Sequence, residues 1–561
     1  MTPKEKGILI LVLAFMLHIG MGLYQLGHQS LTVNEPIYMM AGYYYLTEGE
    51  TFQTGHPQLT HVLAAVPLLF LPVDAPDPTT IEHAQEYART EWLYYEDNDL
   101  ATILFWARIP FLLLSFLCAY FVFRWTKELF GLLPAAIALC IYILHPDIRW
   151  MSTVVMTDLA VATFMLISCY YLWKYLKEEE RKYLWLWGIF FGLALTSKST
   201  ALFALPIYGA ILLVHQGTQI KKILTDISVG VLIAIVVFGI VGIADFNPIY
   251  DTKNPFYAKS GQFRSEERLQ QLTEDFTANT LLQDALKFGL KDIPVPGASS
   301  LAAYATQFKH TVGGHSQYFM GSYTNHGIWY YYVFLYLIKT PIALLALFCI
   351  SLLLFTRLRA KQYKDELTLI LPAVIFLFIS SFIVRLNLGL RHTLIVFLFL
   401  IVFSAKVFQF KKYDNRIIPI IIICLLGWYA FTTITIAPSY IAYFNEFVTP
   451  EKAPLYVIDD SIDWGQDLIN LKYYMQDHDI ESIKLRYAGF EKPEYRNITY
   501  EKLGCEPTEG ILAVSVNALY GGRFWYEGTQ RIDRECYAWL RAEEPIDRIG
   551  YSIYVYNITE T

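Results

Sequence analysis

A series of apolar runs constrains this chain more than any other feature, because a helix needs about 20 mostly apolar residues to cross the hydrocarbon core of a bilayer. Such runs fall at roughly 7–29, 101–123, 131–145, 158–176, 184–197, 200–215, 226–244, 329–356, 366–384, 391–410 and 416–437, which predicts about eleven transmembrane helices. The first run lacks a small-residue cleavage site and leads into polar, aromatic sequence, so it is expected to stay as a span and not to be removed as a signal peptide. Only 17% of the 561 residues are charged, against about 25% in soluble globular chains. That composition excludes a soluble multidomain enzyme, a disordered chain and a coiled coil. A formal net charge of −7 argues against a nucleic-acid partner, and seven Cys are too few for a disulfide scaffold of this size.

The remaining charge is segregated. Residues 438–561 carry 21 Asp and Glu against 12 Lys and Arg, a net −9, while the preceding 437 residues sum to +2. A boundary is therefore expected near Ala437-Pro438, with a membrane domain over 1–437 and a soluble α/β domain over 438–561. Within the latter, Leu455–Asp459 and Ser482–Tyr487 read as strands, Gln466–Gln476 as an amphipathic helix, 511–516 and 549–556 as further strands, and 535–542 as a helix. Basic residues gather in alternate connections (Arg124/Lys127, Lys174 to Lys182, Lys221/Lys222, Arg357 to Lys364, Lys411 to Arg416), with Lys4 and Lys6 before the first span. With eleven spans these share one side, which is then cytoplasmic by the positive-inside rule. The opposite side would hold long loops over about 30–100 and 245–328 and the acidic C-terminal domain. Tyr and Trp cluster at predicted span ends, as an aromatic belt does. Cys505 and Cys536, alone among the cysteines, lie outside the apolar runs; on an oxidising outer face a disulfide and two separate thiols are both open. The Asn497 and Asn557 sequons add little.

Candidate chemistry gathers on that outer side. Asn34-Glu35-Pro36 follows the first span, and a carboxylate at a membrane boundary beside aromatics is expected to be partly desolvated and more basic; the same residues also fit a helix start with an early Pro. His145-Pro146-Asp147 and Met156-Thr157-Asp158 flank a short connection, where Asp158 also suits a helix cap. Lys198 sits in an outer hairpin, where snorkelling would also account for it. Arg385 and Arg391-His392 occupy another outer connection and break the positive-inside pattern. An arginine on that side calls for an anion, and phosphate matches its planar donors. Carboxylates Glu35, Asp147 and Asp158 and cations His56, Lys198, Arg385 and Arg391 thus offer bases plus phosphate holders. His315, in Gly313-Gly314-His315, reads either as a structural turn or as part of the same outer site. Asp463-Trp464-Gly465-Gln466-Asp467 reads as a strand-to-helix turn with Asp463 as the cap.

In order along the chain, several motifs resemble the lipid-phosphosugar-dependent glycosyltransferases of the GT-C fold, in particular the protein O-mannosyltransferase and aminoarabinose-transferase superfamily. They are Asn34-Glu35-Pro36 to Tyr45 with His56-Pro57-Gln58-Leu59, Thr157-Asp158, and Gly192 to Lys198. Val312-Gly-Gly-His315 to Gly321, Gly327 to Tyr332, Ile338-Lys339-Thr340-Pro341 and Gly389-Leu-Arg391-His392 follow, then Tyr443-Phe-Asn-Glu446 and Asp459 to Asp467. The resemblance implies a GT-C-like polytopic α-helical membrane protein that transfers a hexosyl, mannosyl or aminopentosyl group from a polyprenyl or dolichyl phosphate. The acceptor on the outer face would be a protein, glycolipid or polysaccharide. Relatives carry an Asp-Glu pair in the first outer loop, with the Asp as base; here that position is Asn34, an amide that cannot take a proton. The role then passes to Glu35, the favoured base, or to Asp158, otherwise expected to position the acceptor. His56, Lys198 and Arg391 match basic positions associated with the lipid phosphate. A single displacement would invert the anomeric centre. With no clustered acidic metal motif, no required metal or other cofactor is expected. The competing readings are a non-catalytic sugar-lipid binding protein, which Asn34 favours, and a polyprenyl-phosphosugar transporter.

Overall fold

The computed structural model describes every residue except 53, 82, 251–268, 271–272, 275–276, 278, 315, 359–361, 415, 522–533 and 560–561. The chain forms two compact units, one of Met1–Val33, Ala119–Val154 and Gly314–Thr561, the other of Asn34–Cys118 and Val155–Gly313.

Among the described residues, eight helices are long and apolar enough to cross a membrane, the first Pro3–Leu26 and the last Ile417–Thr435. A ninth span counts if Tyr331–Lys339 and Ile342–Leu353 are one segment, bent by 109°. The break follows from Pro341, which pushes Thr340 into extended backbone (ψ 131°) and ends the first helix at Lys339. The other two runs of the expected eleven are helical but short, Leu132–Leu144 with 13 residues and Arg181–Leu195 with 15.

In the second unit the span Thr157–Glu178 is buried almost throughout, and Arg181–Leu195 packs against Ile220–Val241 through glycines. A Cβ on Gly192 would lie 2.6 Å from Val237 Cβ, one on Gly188 2.7 Å from Ile233 Cβ, and one on Gly230 2.8 Å from the Trp187 ring. Close backbone approach through small residues is the usual way membrane helices gain packing without a hydrophobic driving force. The first long loop folds into helices Glu35–Thr47 and Leu59–Ala65, pressed together at Gly42. In the second, the strands Phe246–Pro248 and Pro294–Pro296 pair antiparallel and the helix Ala298–Gly313 follows.

The C-terminal region lies in the first unit. Its five-stranded sheet contains β1 (Ile483–Arg486), β2 (Tyr500–Lys502), β3 (Gly510–Ser515), β4 (Asp547–Ile549) and β5 (Ile553–Ile558), in the order β2-β1-β3-β5-β4. β1 runs parallel to β2 and β3, and β5 antiparallel to β3 and β4. Alternation puts Ile483 and Leu485 of β1 inside, where they meet Leu468, Leu471 and Met475 of the helix Leu468–Asp477. The expected strand at Leu455–Asp459 is replaced by 3₁₀ turns at Ala453–Leu455 and Asp459–Ser461. Pro454 has no N–H for a ladder, and the Tyr456 carbonyl accepts from Met320 N–H at 2.8 Å instead. The helix expected at 535–542 is likewise two 3₁₀ turns, Arg534–Tyr537 and Leu540–Ala542. Cys505 and Cys536 form a disulfide.

Candidate functional site

The residues singled out from the sequence divide between the two units. Glu35 opens the helix Glu35–Thr47 with Pro36 in its first turn, and its side chain is fully buried. Arg108, the ninth residue of the span Leu100–Phe130, donates to it through Nε–Oε1 (2.8 Å) and Nη2–Oε2 (2.6 Å). Val155 N–H adds a third donor to Oε1 at 2.9 Å. Sequence reasoning missed Arg108, although a lone Arg inside an apolar run was the available signal: a charge at that depth is costly unless paired. Asn34 precedes the helix half-buried and makes no side-chain cap bond.

Three residues beyond Val155, Asp158 sits in the first turn of Thr157–Glu178 and accepts from Lys198 Nζ at 2.6 Å, both side chains at 3% exposure or less. Lys198 ends the hairpin after Arg181–Leu195, in extended backbone before the 3₁₀ turn Ser199–Phe203. The Thr196 carbonyl in that connection accepts from Leu59 N–H at 2.9 Å, and the Leu195 carbonyl from Tyr304 Oη at 2.7 Å. Leu59 follows directly on His56-Pro57-Gln58. Val155–Glu35, Asp158–Lys198 and Thr196–Leu59 therefore form one linked set that gathers Glu35, Asp158, Lys198 and the His56 loop within the second unit. His56 is half-buried with its ring edge-on to Tyr38 (5.8 Å), whereas the neighbouring His61 stacks on Tyr38 (5.0 Å) and is pushed down to about 3 by burial, which holds it neutral.

In the first unit, two motifs from distant parts of the chain meet. Arg391 Nε donates to Asp460 Oδ2 at 2.6 Å, and its guanidinium lies 4.5 Å from the centre of the Trp464 ring. Gly389 adopts φ 68°, and a Cβ there would come within 2.8 Å of Asp460 Oδ1, so only glycine permits this approach. His392 is half-buried in the same 3₁₀ turn, Leu390–Thr393. Asp147 is buried 4.0 Å from Lys339 Nζ, which also donates to the carbonyls of Ile441 (2.7 Å) and Ser461 (2.8 Å). Burial pushes Asp147 up to about 6, against the pull of Lys339. Arg385 is exposed. Asp463, expected to cap the following helix, is fully buried and accepts from Gly465 N–H, Ser515 Oγ and Asn517 N–H; the N-cap position belongs to Asp467. His315 lies outside the described residues. Among the described residues no group of three or more His, Cys, Asp or Glu is arranged to hold a metal ion.

Residues 102–242 match the family model described as dolichyl-phosphate-mannose-protein mannosyltransferase. That stretch carries Arg108, Asp158 and Lys198. The match covers 141 of the 561 residues, and the chain has the multi-pass helical architecture with a small C-terminal sheet domain that the motif resemblance implies. No curated protein matches the chain. Several solved structures are distantly similar to it, three of which follow. The oligosaccharyltransferase of Archaeoglobus fulgidus in the apo form has 12% identity and a TM-score of 0.43 over 76% of this chain and 56% of that one, so this chain spans little more than half of that protein's length. ArnT from Cupriavidus metallidurans bound to undecaprenyl phosphate has 11% identity and a TM-score of 0.31 over 97% of both chains. The S. cerevisiae protein O-mannosyltransferase Pmt1-Pmt2 complex bound to the sugar donor has 15% identity and a TM-score of 0.29 over 44% of this chain and 36% of that one.

Proposed function

We propose that this chain is an integral-membrane glycosyltransferase that moves a sugar, a hexose such as mannose or an aminopentose, from a polyprenyl or dolichyl phosphate to an acceptor on the outer face of the membrane. The observation that carries this reading is the linked set of Glu35, Asp158, Lys198 and the His56 loop, which brings two carboxylates and two phosphate-matching cations into one unit. Two of its members, Asp158 and Lys198, fall within the stretch that matches the mannosyltransferase family model.

Glu35 was the favoured base from sequence, but Arg108 occupies both of its oxygens and Val155 N–H shares one, so its role is better read as holding the architecture. Asp158 takes the base role in the scheme proposed here. In the free protein Lys198 covers its Oδ1. When the donor binds, the ammonium moves to the lipid phosphate and the carboxylate is released to act. Asp158 then accepts the proton of an acceptor O–H or N–H, the acceptor lone pair bonds to the anomeric carbon, and the carbon–oxygen bond to phosphate breaks with its electrons passing to the phosphate oxygen. Lys198 and His56 meet the charge of the departing polyprenyl phosphate. Attack opposite the leaving group inverts the anomeric centre. Asn34, neutral at the start of the same helix, orients the acceptor by hydrogen bonding. Arg391, aimed by Asp460 and Trp464, is the candidate phosphate contact of the first unit.

The N-terminus is proposed to be cytoplasmic and the 438–561 domain extracytoplasmic. The basic connections support this, and so does the Cys505–Cys536 pairing, since disulfides persist in oxidising compartments. The competing reading, a sugar-lipid binding protein without turnover, draws on Asn34 and on the engagement of Glu35 by Arg108. Incubating membranes that contain the full chain with a radiolabelled polyprenyl-phosphate sugar, and following label into water-soluble and lipid-linked acceptors, separates the two. Label in an acceptor together with release of polyprenyl phosphate supports transfer. Donor retention without release, in the wild type and in Asn34→Asp alike, supports binding alone.

A further inference from the structure

In the second long loop, one helix turns its apolar face outward instead of toward a core. Thr280–Lys291 starts where Asn279 caps it, the Asn279 side-chain oxygen accepting from the Leu281 and Leu282 N–H groups at 3.0 and 3.3 Å. With 3.6 residues per turn, Leu281, Leu282, Ala285 and Phe288 share one face, and Gln283, Asp284, Lys287 and Lys291 fill the opposite one. In a soluble domain such an apolar stripe is covered. Here none of the 12 residues is buried, and Leu281 is 77% and Phe288 59% exposed. A helix of that length measures about 18 Å, too little to cross a hydrocarbon core of about 30 Å, so it is not a span.

The helix is fixed beside the end of a span. The Leu290 carbonyl accepts from Tyr250 N–H at 2.8 Å, and the paired strands Phe246–Pro248 and Pro294–Pro296 join the helix to the span Ile220–Val241. Gly297 N–H donates to the Gly242 carbonyl at 2.9 Å, and a Cβ on Gly242 would lie 2.5 Å from Gly297 Cα, so the two connections are pressed together. Ile240, Ile243 and Phe246, at and just beyond the end of that span, are exposed, and so is Ile293, two residues after the helix. Exposed apolar side chains thus occur on the span end, beside the strand pair and on the helix.

We infer that Thr280–Lys291 lies on the membrane surface, with Leu281, Leu282, Ala285 and Phe288 at the edge of the acyl chains and the polar face toward water. A short helix with sharply divided faces is the form that interfacial helices take. The partner is the hydrocarbon of the bilayer and not a bound head group. Continuity with the exposed end of a span favours lipid over a protein partner, because that span already sits in hydrocarbon. Contact there also sets the height of the segment that follows. Ser299 donates to Asp245 through both its N–H and its hydroxyl, each at 2.7 Å, and the Ser300 hydroxyl accepts from Gln58 N–H at 3.3 Å, two residues from His56. Depth in the membrane is read without turnover, so its outcome is separate from that of sugar transfer.

The test is the accessibility of a nitroxide at Ala285→Cys and at Asp284→Cys. Each is made in the full chain with the exposed Cys140, Cys349 and Cys424 replaced by alanine, and is reconstituted in phosphatidylcholine vesicles. At 285, oxygen is expected to relax the label more than a water-soluble nickel chelate does, at a depth of about 5–10 Å into the head-group boundary, with nickel access higher at 284. Equal nickel access at the two positions overturns the inference. Shielding from both reagents at 285 also overturns it, since that is the signature of cover by a second copy or by another part of the chain. Photo-crosslinking of wild-type protein with a phosphatidylcholine that carries a diazirine on its acyl chain needs no variant. Adducts within 281–288 support the membrane contact, and adducts confined to the spans overturn it.

Discussion

Arg108 grips Glu35 by both carboxylate oxygens, at 2.8 and 2.6 Å, with neither side chain more than 1% exposed. The pair joins the start of the first-loop helix to the first third of the span Leu100–Phe130. Removing one partner of a buried pair leaves an uncompensated charge and costs about 3–5 kcal/mol. Arg108→Gln and Glu35→Gln are each expected to lower stability by that order. The double variant should cost less than the two singles together, as thermal unfolding in detergent would report.

Gly42 faces the backbone of the neighbouring helix, where an added Cβ would lie 2.0 Å from the His61 carbonyl oxygen. Backbone cannot rotate away, so Gly42→Ala is expected to destabilise by about 1–3 kcal/mol and to separate the two first-loop helices. Gly20→Ala is the control: nothing lies within 4 Å of its Cβ position, so it is expected to be neutral or to stabilise by about 0.5–1 kcal/mol through helix propensity.

Asp463 is pushed up to about 7 because burial outweighs the three donors around it. Between the ordinary carboxylate range and 7 the folded chain binds more protons at this group than the unfolded chain does, so its contribution to stability falls as pH rises from about 4 through about 7. Asp147, raised to about 6, adds a smaller fall in the same direction. Melting temperatures taken across pH 5 to 8 should show the loss, and Asp463→Asn should flatten the Asp463 part of the slope.

The Cys505–Cys536 disulfide closes a loop across a sequence separation of 31. Replacing both cysteines with serine is expected to cost about 2–4 kcal/mol. In intact cells both thiols should resist a membrane-impermeant maleimide until a reductant is added, which also reports the side on which this domain lies.

Much of the architecture was legible because a bilayer imposes a length on every apolar run: all eleven runs are helical, and alternation in Ile483–Leu485 located a real strand. The failures have local causes. Leu455–Asp459 looked like a strand from its apolarity, but Pro454 and the bond from Met320 N–H to Tyr456 draw the backbone into turns. Asp158 and Lys198 were each singled out from the sequence as candidates, but not their ion pair, since partners 40 residues apart are joined only by the folded hairpin. Arg391 called for an anion, and the structure supplies a carboxylate, Asp460, 69 residues away. Arg108 was passed over because its apolar surroundings hid it, although they are what makes its charge significant.

The account turns on Asp158 as the group that takes the acceptor's proton. The most direct measurement is the initial rate of polyprenyl phosphate release from a synthetic polyprenyl-phosphate sugar, in proteoliposomes of the full chain supplied with membrane-derived acceptor, comparing wild type with Asp158→Asn. The predicted result is a loss of about 10²–10⁴-fold in rate with donor binding retained. Release by Asp158→Asn at the wild-type rate would contradict it.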